Sequence, residues 1–125
     1  MLRLCINTRD ELIVVDLERI AFLKADGNYT HIMYISGQQF SISLGLSKLE
    51  QLIRQVYPMN QRSPFIRLGR SFIINQTYLF SINVLKQKLV LSDGQKSSYT
   101  LNIPKTLLKD YKQLIVEQRS KKENE

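Results

Sequence analysis

The sequence reads as a mainly β domain with two helices. Short runs of β-branched and aromatic residues recur, separated by turn signals at Asp26-Gly27-Asn28, Ser36-Gly37 and Asp93-Gly94. The apolar period changes from two to about 3.6 at only two places, from Leu46 to Val56 and after Pro104. A length of 125 residues, with 43% hydrophobic and 23% charged side chains, suits one folded domain and argues against wholesale disorder.

Each element has its own signal. Residues 2–6 alternate weakly and read as a strand, and Leu12-Ile13-Val14-Val15 is a β-branched run after the Asp10-Glu11 interruption. Ile20-Ala21-Phe22-Leu23 follows as another strand. Tyr29 to Ile35 is rich in β-formers, and beyond Ser36-Gly37 the apolar Phe40, Ile42 and Leu44 alternate with Gln39, Ser41 and Ser43. Leu46, Leu49, Leu52, Ile53 and Val56 then make one helical stripe, with Pro58 shortly beyond its end. Met59 to Pro64 is a polar loop. Phe65–Leu68, Phe72–Ile74, Leu79–Leu85, Lys88–Leu91 and Ser98–Leu101 read as strands, with Gly69-Arg70-Ser71 as a turn. Pro104 suits the first position of a last helix, whose stripe is Leu107, Leu108, Tyr111, Leu114 and Ile115. The domain is expected over residues 1–118, and the wholly polar residues 119–125 as a frayed tail. Core positions are expected at Phe22, Leu49, Leu52, Phe65, Phe72, Leu89 and Leu91, with Cys5 as a small core residue.

Charge is the first functional signal. The chain has 18 basic and 11 acidic residues, net +7. Residues 1–30 hold four basic and five acidic side chains, so the whole excess lies downstream. A local excess of this kind suits a polyanionic partner, nucleic acid first and an anionic membrane surface second. The plain alternative is a solvated basic surface, the best reading of Lys86, Lys88 and Lys96. No apolar run approaches the ~18 residues of a membrane helix, and no helix sets a long lysine face beside exposed aromatics as a membrane-surface helix would, so no membrane partner is expected.

Catalysis is not expected. Dinucleotide, phosphate-loop and nucleophile-elbow motifs are missing. Asp10 and Glu11 would face opposite sides of a strand, so they cannot flank one substrate. A single cysteine and a single histidine cannot complete a usual structural zinc site, and no cofactor is expected. One unpaired cysteine also fits a reducing cytoplasm.

Two blocks resemble a known family. Residues 20–30 read Ile-Ala-Phe-Leu-Lys-Ala-Asp-Gly-Asn-Tyr-Thr, and residues 65–75 read Phe-Ile-Arg-Leu-Gly-Arg-Ser-Phe-Ile-Ile-Asn. Between them lies a hairpin and a Leu-rich helix; after them come a strand, an Asp-Gly turn, a strand and a helix. This order resembles the LytTR DNA-binding domain of bacterial transcription regulators over about residues 10–115. The resemblance implies an elongated fold of small stacked β-sheets that reads the major groove of double-stranded DNA through loops. Neither helix is basic enough to act as a recognition helix: the first has Lys48 and Arg54 against Glu50.

The resemblance also places candidate DNA-contact residues. Asn28, Thr30 and His31 lie at the first turn, where the family sets a base-contacting polar side chain; His31 as an ordinary strand histidine is the alternative. At the second turn Gly69 replaces the family's histidine, while Arg70 keeps a donor fork suited to guanine or phosphate. A surface ion pair is the alternative for Arg70, and Arg67 reads as structural. Asn75 is expected to hydrogen-bond a turn. Before the last helix, Asn102-Ile103 stands where many members have Ser-Arg, so the arginine is missing. Asn102 would read adenine or help cap the helix, and Lys105 would reach a phosphate.

The function expected is therefore a sequence-specific transcription regulator without its own receiver domain. It would bind repeated sites as two copies and take its signal from a partner protein. The contrasting expectation is a protein-partner or non-specific nucleic-acid module that has lost base readout, motivated by Gly69 and Ile103.

Overall fold

The computed structural model describes residues 2–123, with side chains described through Arg119. Its ten strands form three antiparallel sheets, accompanied by two α-helices. The packing groups into two compact units, Met1–Tyr78 and Leu79–Glu125.

In the first unit, β1 (Arg3–Asn7) and β2 (Leu12–Asp16) pair as a two-stranded ribbon. Their alternation puts Leu4, Ile6 and Val15 inward. Cys5 is exposed opposite Val14, correcting its expected core place: between two inward neighbours on a strand, it must face outward. A 3-10 turn at Leu17–Arg19, which no periodicity marks, leads to β3 (Ile20–Asp26), the strand expected from Ile20-Ala21-Phe22-Leu23. Asp16 caps this turn by accepting from the Glu18 amide.

β3 hairpins with β4 (Tyr29–Tyr34), and β4 hairpins with β5 (Gln39–Ile42). Helix α1 (Leu46–Val56) follows. Then β6 (Phe65–Leu68) and β7 (Phe72–Asn75) form a hairpin whose second strand pairs with the free side of β3. The sheet order is β5-β4-β3-β7-β6, with the early strand β3 at its centre. The stripe Leu46, Leu49 and Ile53 of α1 packs with Ile20, Leu23, Ile32, Ile42 and Ile73 into the core of this unit. Phe22 is buried as expected, while Leu52, Phe65 and Phe72 are only half-buried.

Asn75 is 2% exposed. Its amide donates to the Ile20 carbonyl and its oxygen accepts from the Thr77 amide. It therefore stitches β7 to β3 and holds the 3-10 turn Gln76–Tyr78, the turn-bonding role expected from its sequence position.

The second unit is a meander of β8 (Leu79–Asn83), β9 (Lys88–Ser92) and β10 (Ser98–Asn102), followed by α2 (Lys105–Glu123). Leu89, Leu91, Leu101, Ile103, Leu108 and Tyr111 are buried. Burial pushes the Tyr111 phenol well above its ordinary value, so it stays neutral. Leu114, expected on the same stripe, is 56% exposed. Gln87 takes the left-handed backbone of the β8–β9 turn with no glycine to mark it. Pro104 stands immediately before α2, and its carbonyl accepts from the Leu108 amide. The helix continues past Arg119 to Glu123, where a frayed tail was expected, because Lys121, Lys122 and Glu123 are good helix formers and no Gly or Pro intervenes. Asn124 and Glu125 lie outside the described residues.

Candidate nucleic-acid interface

Two turns of the first unit share one sheet end. Asp26 pairs with Tyr29 to close the β3–β4 hairpin, with Gly27 at φ +60 supplying the left-handed angle. The Ala25 amide donates to the Ser71 carbonyl at 2.8 Å, drawing the β6–β7 turn against the end of β3. The exposed side chains of Asn28 and Arg70 stand on these neighbouring turns. Neither has a side-chain partner among the described residues.

The β6–β7 turn is braced from within by Arg67. Its Nε donates to the Gly69 carbonyl at 2.8 Å, and a terminal nitrogen reaches the Arg70 carbonyl at 3.5 Å. The other terminal nitrogen bonds Glu50 at 3.2 Å and Ser47 at 3.3 Å, both on α1. Glu50 also pairs with Arg54 at 3.4 Å. One guanidinium thus fixes the carbonyls of the turn and ties them to the helix, the structural role that its alternation with Ile66 and Leu68 suggested. Gly69, at φ +68, lets the chain reverse where a side chain would be strained.

Thr30 requires a correction. Expected as a base-contacting residue, it is fully buried, and its hydroxyl donates to the Leu44 carbonyl at 2.8 Å. It shares the inward face of β4 with Ile32 and Tyr34. Strand alternation with Ile32 and Tyr34 places it inside.

His31 is on the opposite, half-exposed face, and both ring nitrogens are engaged. Nε2 is 2.8 Å from Asp26 Oδ2 and Nδ1 is 2.6 Å from Ser41 Oγ. A carboxylate only accepts, so Nε2 carries a proton; the Ser41 hydroxyl can donate to or accept from Nδ1. The ring therefore spans β3, β4 and β5. A base contact by His31 would require giving up one of these bonds. Asp26 and Ser41 are partners that sequence reasoning missed, although the registers Asp26–Tyr29 and His31–Ser41 place all three on adjacent strands.

Asn102 and Lys105 belong to the second unit. Asn102 is exposed, and its side-chain oxygen accepts from Lys88 Nζ across the β9–β10 pair, so it does not cap α2. Lys105 is exposed at the start of α2 without a partner among the described residues. Between them Ile103 is 1% exposed, and its amide donates to the Gln87 carbonyl at 3.1 Å. The residue standing in place of the expected arginine is therefore a core side chain.

Among the described residues, no group of His, Cys, Asp and Glu is arranged to hold a metal ion, and no helix is long and apolar enough to cross a membrane.

Comparison with known proteins agrees with this fold. Among solved structures, the chain is similar to the LytTr DNA-binding domain of a Bacillus cereus protein described as a methyl-accepting/DNA response regulator. The TM-score is 0.62 and the identity 19%, over 92% of this chain and 97% of that one, a likeness of fold. No curated protein matches the sequence. The model of the LytTr DNA-binding domain family matches residues 10–115. With both motif blocks inside that span and a fold of three sheets and two helices, the chain belongs to the LytTr DNA-binding domain family.

Proposed function

We propose that this chain is the sequence-reading module of a transcription regulator, and that it enters the major groove of double-stranded DNA through turns rather than a helix. The observation that carries this reading is Arg70: an exposed guanidinium, without a partner among the described residues, on a turn whose carbonyls are held by Arg67. A guanidinium fork suits guanine O6 and N7 or a phosphate, and bracing lowers the ordering cost of binding. Asn28 on the adjacent turn adds an amide suited to adenine. His31 supports the turn through Asp26 and Ser41. Asn102 supplies a second amide, and Lys105 a phosphate contact. Thr30 takes no part in contact.

A basic excess of +7 adds sequence-independent attraction and a steep salt dependence. Two copies would sit on direct repeats, head to tail, and a partner protein or a linked domain would supply the signal.

Selection of bound duplexes from a random DNA pool at near-physiological salt tests this. One recurrent enriched motif is the expected result. Recovery of DNA without enrichment would replace base readout by charge attraction. No recovery would move the function to a protein partner, the reading that the inward Ile103 favours.

A further inference from the structure

We propose that α2 carries a second, sequence-independent arm of the DNA interface, a stripe of cations that lies along the phosphate backbone. The proposal rests on the DNA-binding reading above and extends it beyond the turns. Lys105, Lys109, Lys112 and Arg119 stand at i, i+4, i+7 and i+14, which is one face of a helix with ~3.6 residues per turn. All four are exposed. None has a carboxylate partner among the described residues. The stripe is about 21 Å long at ~1.5 Å per residue, enough to pass several phosphates of one strand, which are spaced ~3.4 Å along the duplex axis.

The segregation of charge on α2 is the second part of the argument. Of its acidic residues, Asp110 and Glu117 lie on a different face, seven residues apart, while Glu123 closes the helix beyond Arg119 at a position on the lysine face; Glu117 accepts from Gln113. Lys105 and Lys109 are an i, i+4 pair of like charge, and Lys109 and Lys112 an i, i+3 pair. Such pairs weaken a free helix, whereas an i, i+4 glutamate would have strengthened it. An anionic partner along this face removes the repulsion. Charge also accumulates in the surrounding unit: residues 79–119 have seven basic and three acidic side chains. The stripe starts at Lys105, three residues after Asn102, so within this unit it is continuous with the proposed contact loop. Only Val116 interrupts it, and that side chain is 48% exposed. A polyanion with regularly spaced charges fits a row of flexible ammonium groups, which supply attraction without reading a base.

The test uses the full chain with Lys109, Lys112 and Arg119 all changed to Gln, leaving Lys105 and both turns intact. Binding is measured over a range of salt on the duplex recovered from the random pool and on an unrelated duplex. Three lost phosphate contacts should make the slope of log affinity against log salt shallower by about 2.7, at ~0.9 per contact. The loss should be equal on both duplexes, so the preference between them should not change. A second variant, Lys109→Arg with Lys112→Arg, keeps the charge and should keep the slope, which a purely structural role for these lysines would not require. An unchanged slope in the Gln variant, with wild-type binding intact and Arg70→Ala impaired, would remove α2 from the interface and leave the turns. If the wild-type chain bound neither duplex, the DNA reading itself would fall and the arm with it.

Discussion

The β6–β7 turn and the connection from β10 to α2 occupy comparable places in the family pattern, and both have lost a polar side chain there. Their consequences are opposite. At the first, Gly69 replaces a histidine at a backbone angle of φ +68, and the neighbouring Arg70 remains exposed, without a side-chain partner among the described residues, while Arg67 secures the turn beneath it. At the second, Ile103 replaces an arginine and turns inward, 1% exposed, with its amide committed to Gln87. One replacement leaves a recognition fork intact; the other converts the position into core. On the proposed reading, base readout is therefore concentrated in the first unit, and what the second unit offers is an amide at Asn102 and positive charge from Lys105 onward.

The strongest test of this contrast is Ile103→Arg, which restores the family side chain. Because the position is buried, the chain should lose about 3 kcal/mol or more of stability, the scale of an unpaired charge placed in a core. Thermal unfolding followed by circular dichroism measures it. A variant that melts like wild type and binds DNA more tightly would mean that the loop turns outward readily, and the contrast would vanish. Arg70→Ala comes next: it should cost about 1–3 kcal/mol on the preferred duplex and much less on others. Equal losses on all duplexes would reassign Arg70 to a phosphate. Arg67→Ala should cost about 1–2 kcal/mol of stability, since its charge-assisted bonds are only partly shielded from water. It should also reduce preference for the chosen duplex in the wild type but hardly at all in an Arg70→Ala background. Additive losses in that double-mutant cycle would show that Arg67 does not act through Arg70.

Local structure was largely legible in the sequence, because hairpins and amphipathic helices are written in neighbouring residues. The bounds of α1 and the turns at Gly27, Gly37, Gly69 and Gly94 follow from period and glycine placement. The order of the five-stranded sheet does not, since β7 reaches β3 across about fifty residues of chain and nothing local states that pairing. The site was legible in part for the same reason. Arg67 declared itself by alternating with two apolar neighbours. Its partners Ser47 and Glu50 lie on a helix that only the tertiary fold brings near. Thr30 and Cys5 were misplaced although strand alternation held the answer in both cases: one neighbours inward residues at i+2, the other at i±1. A turn motif drew Thr30 toward DNA when its strand parity pointed to the core.

Two smaller effects refine the picture. Thr30→Val keeps shape and removes the hydroxyl that bonds Leu44, so it should cost about 1 kcal/mol of stability and leave DNA preference alone. A changed preference with unchanged stability would return Thr30 to the interface.

Lys105→Ala should have the smallest effect, and it asks most directly what the second unit contributes. The side chain is exposed and unpaired among the described residues, so stability should scarcely change. If Lys105 meets one phosphate, the slope of log affinity against log salt should flatten by about one unit. The loss should be the same on preferred and unrelated duplexes, because a phosphate carries no sequence information. Asn102→Ala, three residues earlier, is the natural partner experiment. A loss confined to the preferred duplex there would mean that this loop still reads a base after its arginine position became core. A loss on neither duplex would leave the second unit as an electrostatic support, with sequence choice resting on the two turns of the first.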